Sequence, residues 1–148
     1  MRYMGLDLGS KTLGVAISDP TKTIANVLTT IRFKDENYDL LISPLADIIK
    51  EYQISKIILG YPKNMNNTVG ERALKSLEFK EMLERRTGLP VVMWDERLTT
   101  VEANRTLMES GVRRENRKQY LDELAAIFIL QSYLDAYGRE DAVREVNI

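Results

Sequence analysis

Apolar and polar residues alternate from Arg2 to Asp19 in a pattern that predicts two strands joined by a turn. Alternation puts Tyr3, Gly5 and Asp7 on one face of the first strand, about 2–8, and Met4, Leu6 and Leu8 on the other. Gly9, Ser10, Lys11 and Thr12 make the turn, and residues 13–19 return. Asp19–Thr23 is a second turn, and the β-branched, Thr-rich run 24–33 predicts a third strand. After a polar break at 34–37 the period becomes helical, with Leu41, Leu45, Ile48 and Tyr52 on one side. Pro44 either kinks that helix or opens it, with Ser43 as N-cap. The continuous apolar run at 55–60 predicts a strand inside the sheet, covered on both faces.

A polar loop over 61–70 leads into a helix at 71–87, with Ala73, Leu74, Leu77 and Leu83 apolar. Gly88 and Pro90 end it, and Val91–Trp94 predicts another buried strand, 91–96, running into Asp95 and Glu96. A helix near 100–109, a basic linker at 113–118 and a strongly apolar helix at 119–137 follow. The order β-β-β-α-β-α-β-α-α predicts an α/β domain: one five-stranded mixed sheet, three antiparallel strands then two parallel, with helices on both faces. That is the ribonuclease H-like layout. One domain over 1–138 suits 148 residues of which 44% are hydrophobic, and 139–148 form a polar tail.

Composition narrows the chemistry. With neither Cys nor His, thiolate sites, Ser-His-Asp catalysis and His metal ligands are excluded. Carboxylates, Lys, Arg, hydroxyls and a hard metal ion remain. A net charge of −1 leaves no global basic field for nucleic acid. No apolar run is long enough for a bilayer and the N-terminus lacks a signal-peptide pattern, so the expectation is a soluble cytoplasmic protein without a membrane partner.

Acids stand at three places where the surrounding pattern is apolar. Asp7 is inside the first strand, and Asp95 and Glu96 end the fifth. Asp122 begins the stripe Asp122, Ala126, Ile129, Tyr133, which spacing puts on the core side of the last helix. Converging acids from separate elements can hold Mg²⁺ or Mn²⁺. Two such ions about 3.5–4 Å apart suit in-line phosphodiester hydrolysis. Simpler roles compete: Asp122 also suits a helix N-terminus, and Asp95 and Glu96 also suit a loop before a helix capped by Thr99 or Thr100. Alternation alone does not choose between Asp95 and Glu96. Asp19, at the far end of the second strand, is set aside.

Gly5–Lys11 with Gly14–Asp19 resembles the opening motif of the YqgF family, bacterial proteins also named for Holliday junction resolution or for pre-16S ribosomal RNA cleavage. Gly60-Tyr61-Pro62 with Asn64 and Gly70 resembles its second motif, and Asp95–Thr100 with Ala103 its third. Asp122 with Ala125-Ala126 and Ile129-Leu130-Gln131 resembles its last, so the match spans about 1–138. The resemblance implies a ribonuclease H-like, metal-dependent nuclease related to the RuvC resolvase. It places the acidic roles on Asp7, Glu96 and Asp122, and so favours Glu96 over Asp95.

Other residues take roles by chemistry. Arg97 can fork onto a phosphate or pair with Asp95 or Glu96. Thr99 and Thr100 offer a hydroxyl and a helix N-terminus to phosphate, or serve as a plain cap. Lys11 lies in the turn beside Asp7, and Asn64 in a polar loop with Lys63, Asn66 and Asn67; each suits substrate or solvent. Arg113, Arg114, Arg117 and Lys118, just before Asp122, can lead a backbone to the acids or be a solvated run.

The expected partner is nucleic acid: precursor ribosomal RNA at the 5′ end of 16S, or four-way DNA. A resolvase needs a symmetric dimer; the expectation here is a monomer or weak homodimer. Two rivals differ in class. The hairpin also resembles the first phosphate loop of sugar kinases, actin and chaperone ATPases, and a non-catalytic nucleic-acid scaffold would need no acids.

Overall fold

Short turns force the first three strands to pair antiparallel, whereas helical crossovers return the chain in parallel. The computed structural model, which describes residues 1–9, 11–34, 37–61, 71–95 and 117–138, follows that rule. Its elements are β1 (Arg2–Leu8), β2 (Thr12–Ser18), β3 (Ala25–Arg32), α1 (Asp39–Tyr52), β4 (Ile54–Tyr61), α2 (Glu71–Thr87), β5 (Val91–Asp95) and α3 (Arg117–Tyr133), which ends in a π-helical turn, Leu134–Gly138. The sheet order is β3-β2-β1-β4-β5. β1–β2 and β2–β3 are antiparallel, β1–β4 and β4–β5 parallel. The helix expected at 100–109, most of the 61–70 loop and the tail lie outside the described residues.

Strand alternation sorts β1 between two cores. Met4, Leu6 and Leu8 pack with Leu41 and Leu45 of α1 and Phe79 and Leu83 of α2. Tyr3, on the other face, packs with Ala126, Ile129, Leu130 and Tyr133 of α3. β4 is covered on both faces as expected, with Ile57, Ile58 and Leu59 fully buried. Among the described residues, no helix is long and apolar enough to cross a membrane.

Three local features sharpen the sequence pattern. Helix α1 starts at Asp39, so Pro44 lies inside it and Ser43 is not its cap. Turn bonds from Leu40 N–H to Asn37 O (3.2 Å) and Leu41 N–H to Tyr38 O (3.0 Å) build the first turn. Leu41 and Ile42, both buried, hold the segment ahead of Pro44 in helical form, which offsets the bond that proline removes. On α2, Leu74 is exposed, and the buried positions are Ala73, Ser76, Phe79 and Leu83. Among the described residues β5 is an edge strand, in which Val91 is buried and Val92, Met93 and Trp94 are half-buried.

Candidate active site

Asp7 occupies the next-to-last position of β1, the central strand of the sheet. Its neighbour across β2 is Gly14. On the other side Leu6 pairs with Leu59 of β4, so the residues one step further are Asp7 and Gly60. Glycine thus adjoins Asp7 on both sides, and no neighbouring side chain covers the carboxylate within the sheet. Asp7 is half-buried, and its carboxylate has no hydrogen-bond or ion-pair partner among the described residues. A half-buried acid gains from a partner, whether a side chain or a bound cation.

Helix α3 lies across the same face and runs antiparallel to β1. Tyr133 meets Tyr3 edge to face at 6.1 Å. Ala126 and Leu130 lie directly above Gly5. Continuing along both elements, Asp122, one turn before Ala126, reaches the level of Asp7, two residues after Gly5, because the two steps are each about 6 Å. The fifth strand ends at the same edge: Leu59 pairs with Met93, Gly60 with Trp94 and Tyr61 with Asp95. Val92 and Trp94 pack on the α3 side, the face that Asp7 shares.

The hairpin turn is closed by Gly9 N–H to Thr12 O (2.8 Å) and tied to β3 by Phe33 N–H to Lys11 O (2.9 Å). Lys11 is exposed there. Glu96, Arg97, Thr99, Thr100, Asn64, Arg113 and Arg114 lie outside the described residues. Asp122, Arg117 and Lys118 are placed by their backbone in α3. Among the described residues no three potential metal-ligating side chains cluster. The carboxylate of Asp7, without a partner among the described residues, is the kind of oxygen donor that a hard divalent cation takes.

Asp19 is a different kind of acid. Its Oδ1 accepts from Thr23 N–H (2.8 Å) and Ile24 N–H (2.9 Å), and its Oδ2 from the Thr21 hydroxyl. Burial alone would raise its pKa, but these bonds outweigh it and hold the carboxyl at about 2. It locks the β2–β3 turn, far from Asp7.

Gln131 was legible only as a motif residue. Its Oε1 accepts from Ala25 N–H (2.8 Å), and its Nε2 donates to Thr23 O (2.9 Å) and Asp135 Oδ1 (3.0 Å). It thereby anchors α3 to the start of β3. Nothing in its local sequence signals this anchoring, since Ala25 and Thr23 are over 100 residues away.

A mixed β3-β2-β1-β4-β5 sheet with an acid near the end of its central strand, under a helix that carries another, is the arrangement of the ribonuclease H-like fold class. Within that class the chain belongs to the RuvX family, described as Holliday junction resolvase, whose family model matches residues 1–136. A protein of Agathobacter rectalis named "Putative pre-16S rRNA nuclease" is 57% identical over 136 residues, covering 91% of this chain and 95% of its own. One of the same name from Listeria monocytogenes is 53% identical over 135 residues, covering 91% and 98%. Solved folds similar to this one include Thermus thermophilus RuvC in complex with a Holliday junction substrate, at TM-score 0.58 and 13% identity over 94% of this chain and 97% of that one. The fowlpox virus resolvase in complex with Holliday junction DNA has TM-score 0.52 and 16% identity, covering 92% and 98%. These two identities speak for the fold alone. The family match decides against the kinase-like reading of the hairpin.

Proposed function

We propose that the chain is a divalent-metal-dependent nuclease that hydrolyses phosphodiester bonds in the 5′-end processing of precursor 16S ribosomal RNA, in the cytoplasm. The observation that carries this reading is Asp7: a half-buried carboxylate with no hydrogen-bond or ion-pair partner among the described residues, between glycines, on the face that α3 covers. Asp7, Glu96 and Asp122 would hold Mg²⁺ or Mn²⁺. The likeness of Asp95–Thr100 to the family's third motif supports Glu96 over Asp95. The bound ions supply charge stabilisation and an acidified water. With no histidine in the chain, its carboxylates and lysines would be the groups able to orient the attacking water and accept its proton.

The remaining residues handle the substrate. The planar fork of Arg97 suits a non-bridging phosphate oxygen. Thr99 and Thr100 seat an adjacent phosphate, Lys11 approaches from the hairpin turn, and Asn64 contacts the strand from its loop. Arg114 and Lys118 guide the backbone towards Asp122. The names of the relatives from Agathobacter and Listeria support an RNA substrate.

The family description supports a second reading, resolution of four-way DNA junctions, which requires a symmetric dimer. Purified protein should be given labelled precursor 16S RNA and a four-way junction side by side, with Mg²⁺ or Mn²⁺, and its solution mass measured. Cleavage of the RNA by a monomer is the expected result. Junction cleavage by a dimer would replace it with the second reading. Binding without cleavage of either would leave a nucleic-acid scaffold.

A further inference from the structure

Gly5 lies where α3 crosses β1. A Cβ placed there would stand 2.6 Å from the Cβ of Leu130 and 2.9 Å from the carbonyl oxygen of Ala126. Both atoms are fixed to the helix backbone, so no change of rotamer relieves the clash. Gly5 is not there for a special conformation, since it pairs regularly with Ala16 in β2 and Ile58 in β4. What the position demands is the absence of a side chain.

The helix cannot withdraw evenly from such a wedge. Polar contacts pin residues 131–133: Gln131 to Ala25 and Thr23, Trp94 Nε1–H to Ser132 Oγ (3.0 Å), and Lys56 Nζ to Tyr133 OH (3.0 Å). A wedge under Ala126 and Leu130 would therefore lift the opposite, N-terminal half of α3. That half carries Asp122.

We propose that Gly5 is a positioning residue: its missing side chain sets the height of α3 above β1, and with it the separation of Asp7 from Asp122. The inference rests on the metal-dependent reading above. Mg²⁺ and ions like it tolerate little change in ligand spacing, so a shift of a few tenths of an ångström is felt in affinity.

The test titrates the full-length protein with Mn²⁺ alone, without substrate, reading free ion by electron paramagnetic resonance and fold by circular dichroism. Wild type should bind, and Asp7→Asn should lose binding. Folded Gly5→Ala should bind at least ~10-fold more weakly, the scale on which supporting residues tune metal sites. Ala126→Ser, which adds one atom at a fully buried position in the same turn of the helix, should weaken binding in the same sense, and it serves if Gly5→Ala does not fold. Leu130→Ala, which opens a cavity without a wedge, should lose stability and keep wild-type affinity. Wild-type affinity in the folded wedge variants, with Asp7→Asn still defective, overturns the positioning role alone. So does an equal loss in Leu130→Ala, since the effect would then follow general destabilisation. Absence of Mn²⁺ binding in wild type overturns both readings.

Discussion

Asp7 and Asp19 are both half-buried acids at strand ends, and their surroundings assign them opposite roles. Asp19 is saturated by its own turn, so its charge belongs to the fold. Its carboxyl is held at about 2 against an ordinary 3.8, so its stabilisation is complete above 3.8 and is lost as pH falls through about 2. Asp19→Asn should therefore be less stable than wild type at neutral pH, with the gap closing on acidification towards 2; chemical denaturation across that range measures it. Asp7 has no such partners among the described residues. Asp7→Asn should leave the fold intact and, by removing repulsion among clustered acids, leave metal-free stability equal or higher. Loss of an outer partner in a metal site typically costs 10–100-fold, so loss of this direct ligand should lower cleavage by about 10²-fold or more. Unfolding of the variant would mark Asp7 as structural, and wild-type cleavage would end the nuclease reading.

At the scale of elements, the site depends on how α3 is seated. The stripe Ala126, Ile129, Tyr133 was legible from its spacing, and all three are buried. The anchoring by Gln131 was not, because its partners come from the β2–β3 turn and the start of β3. Gln131→Ala leaves the buried Ala25 N–H without an acceptor, which should cost about 1–3 kcal/mol in urea denaturation. An unchanged midpoint would show that water replaces the side chain. Helix α1 makes the complementary point. Propensity left Pro44 either inside the helix or at its start, and burial of Leu41 and Ile42 ahead of it accompanies the first.

Over the whole molecule, a net charge of −1 means that attraction to nucleic acid must come from local clusters. Arg113, Arg114, Arg117 and Lys118 are the candidate cluster. Neutralising all four to Ala should weaken binding alike across sequences and flatten the dependence of binding on salt by up to about 4 in slope, since fewer counterions are released. An unchanged salt slope would assign these residues to the solvated surface. Bound Mg²⁺ or Mn²⁺ should also raise the thermal midpoint of wild type and not of Asp7→Asn, because ligation of the folded state alone stabilises it.

The order of strands and helices, their pairing sense and the two faces of β1 could all be read from hydrophobic period and connection length, which are local properties of the chain. So could the candidacy of Asp7, an acid in an apolar strand. The pairing register could not, because it depends on residues far apart in sequence. Only the folded sheet brings Gly14 and Gly60 to the two sides of Asp7 and shows that β5 is an edge. Only the docking of α3 shows why residue 5 lacks a side chain: its neighbours there, Ala126 and Leu130, are over 100 positions away along the chain and within van der Waals reach across the core.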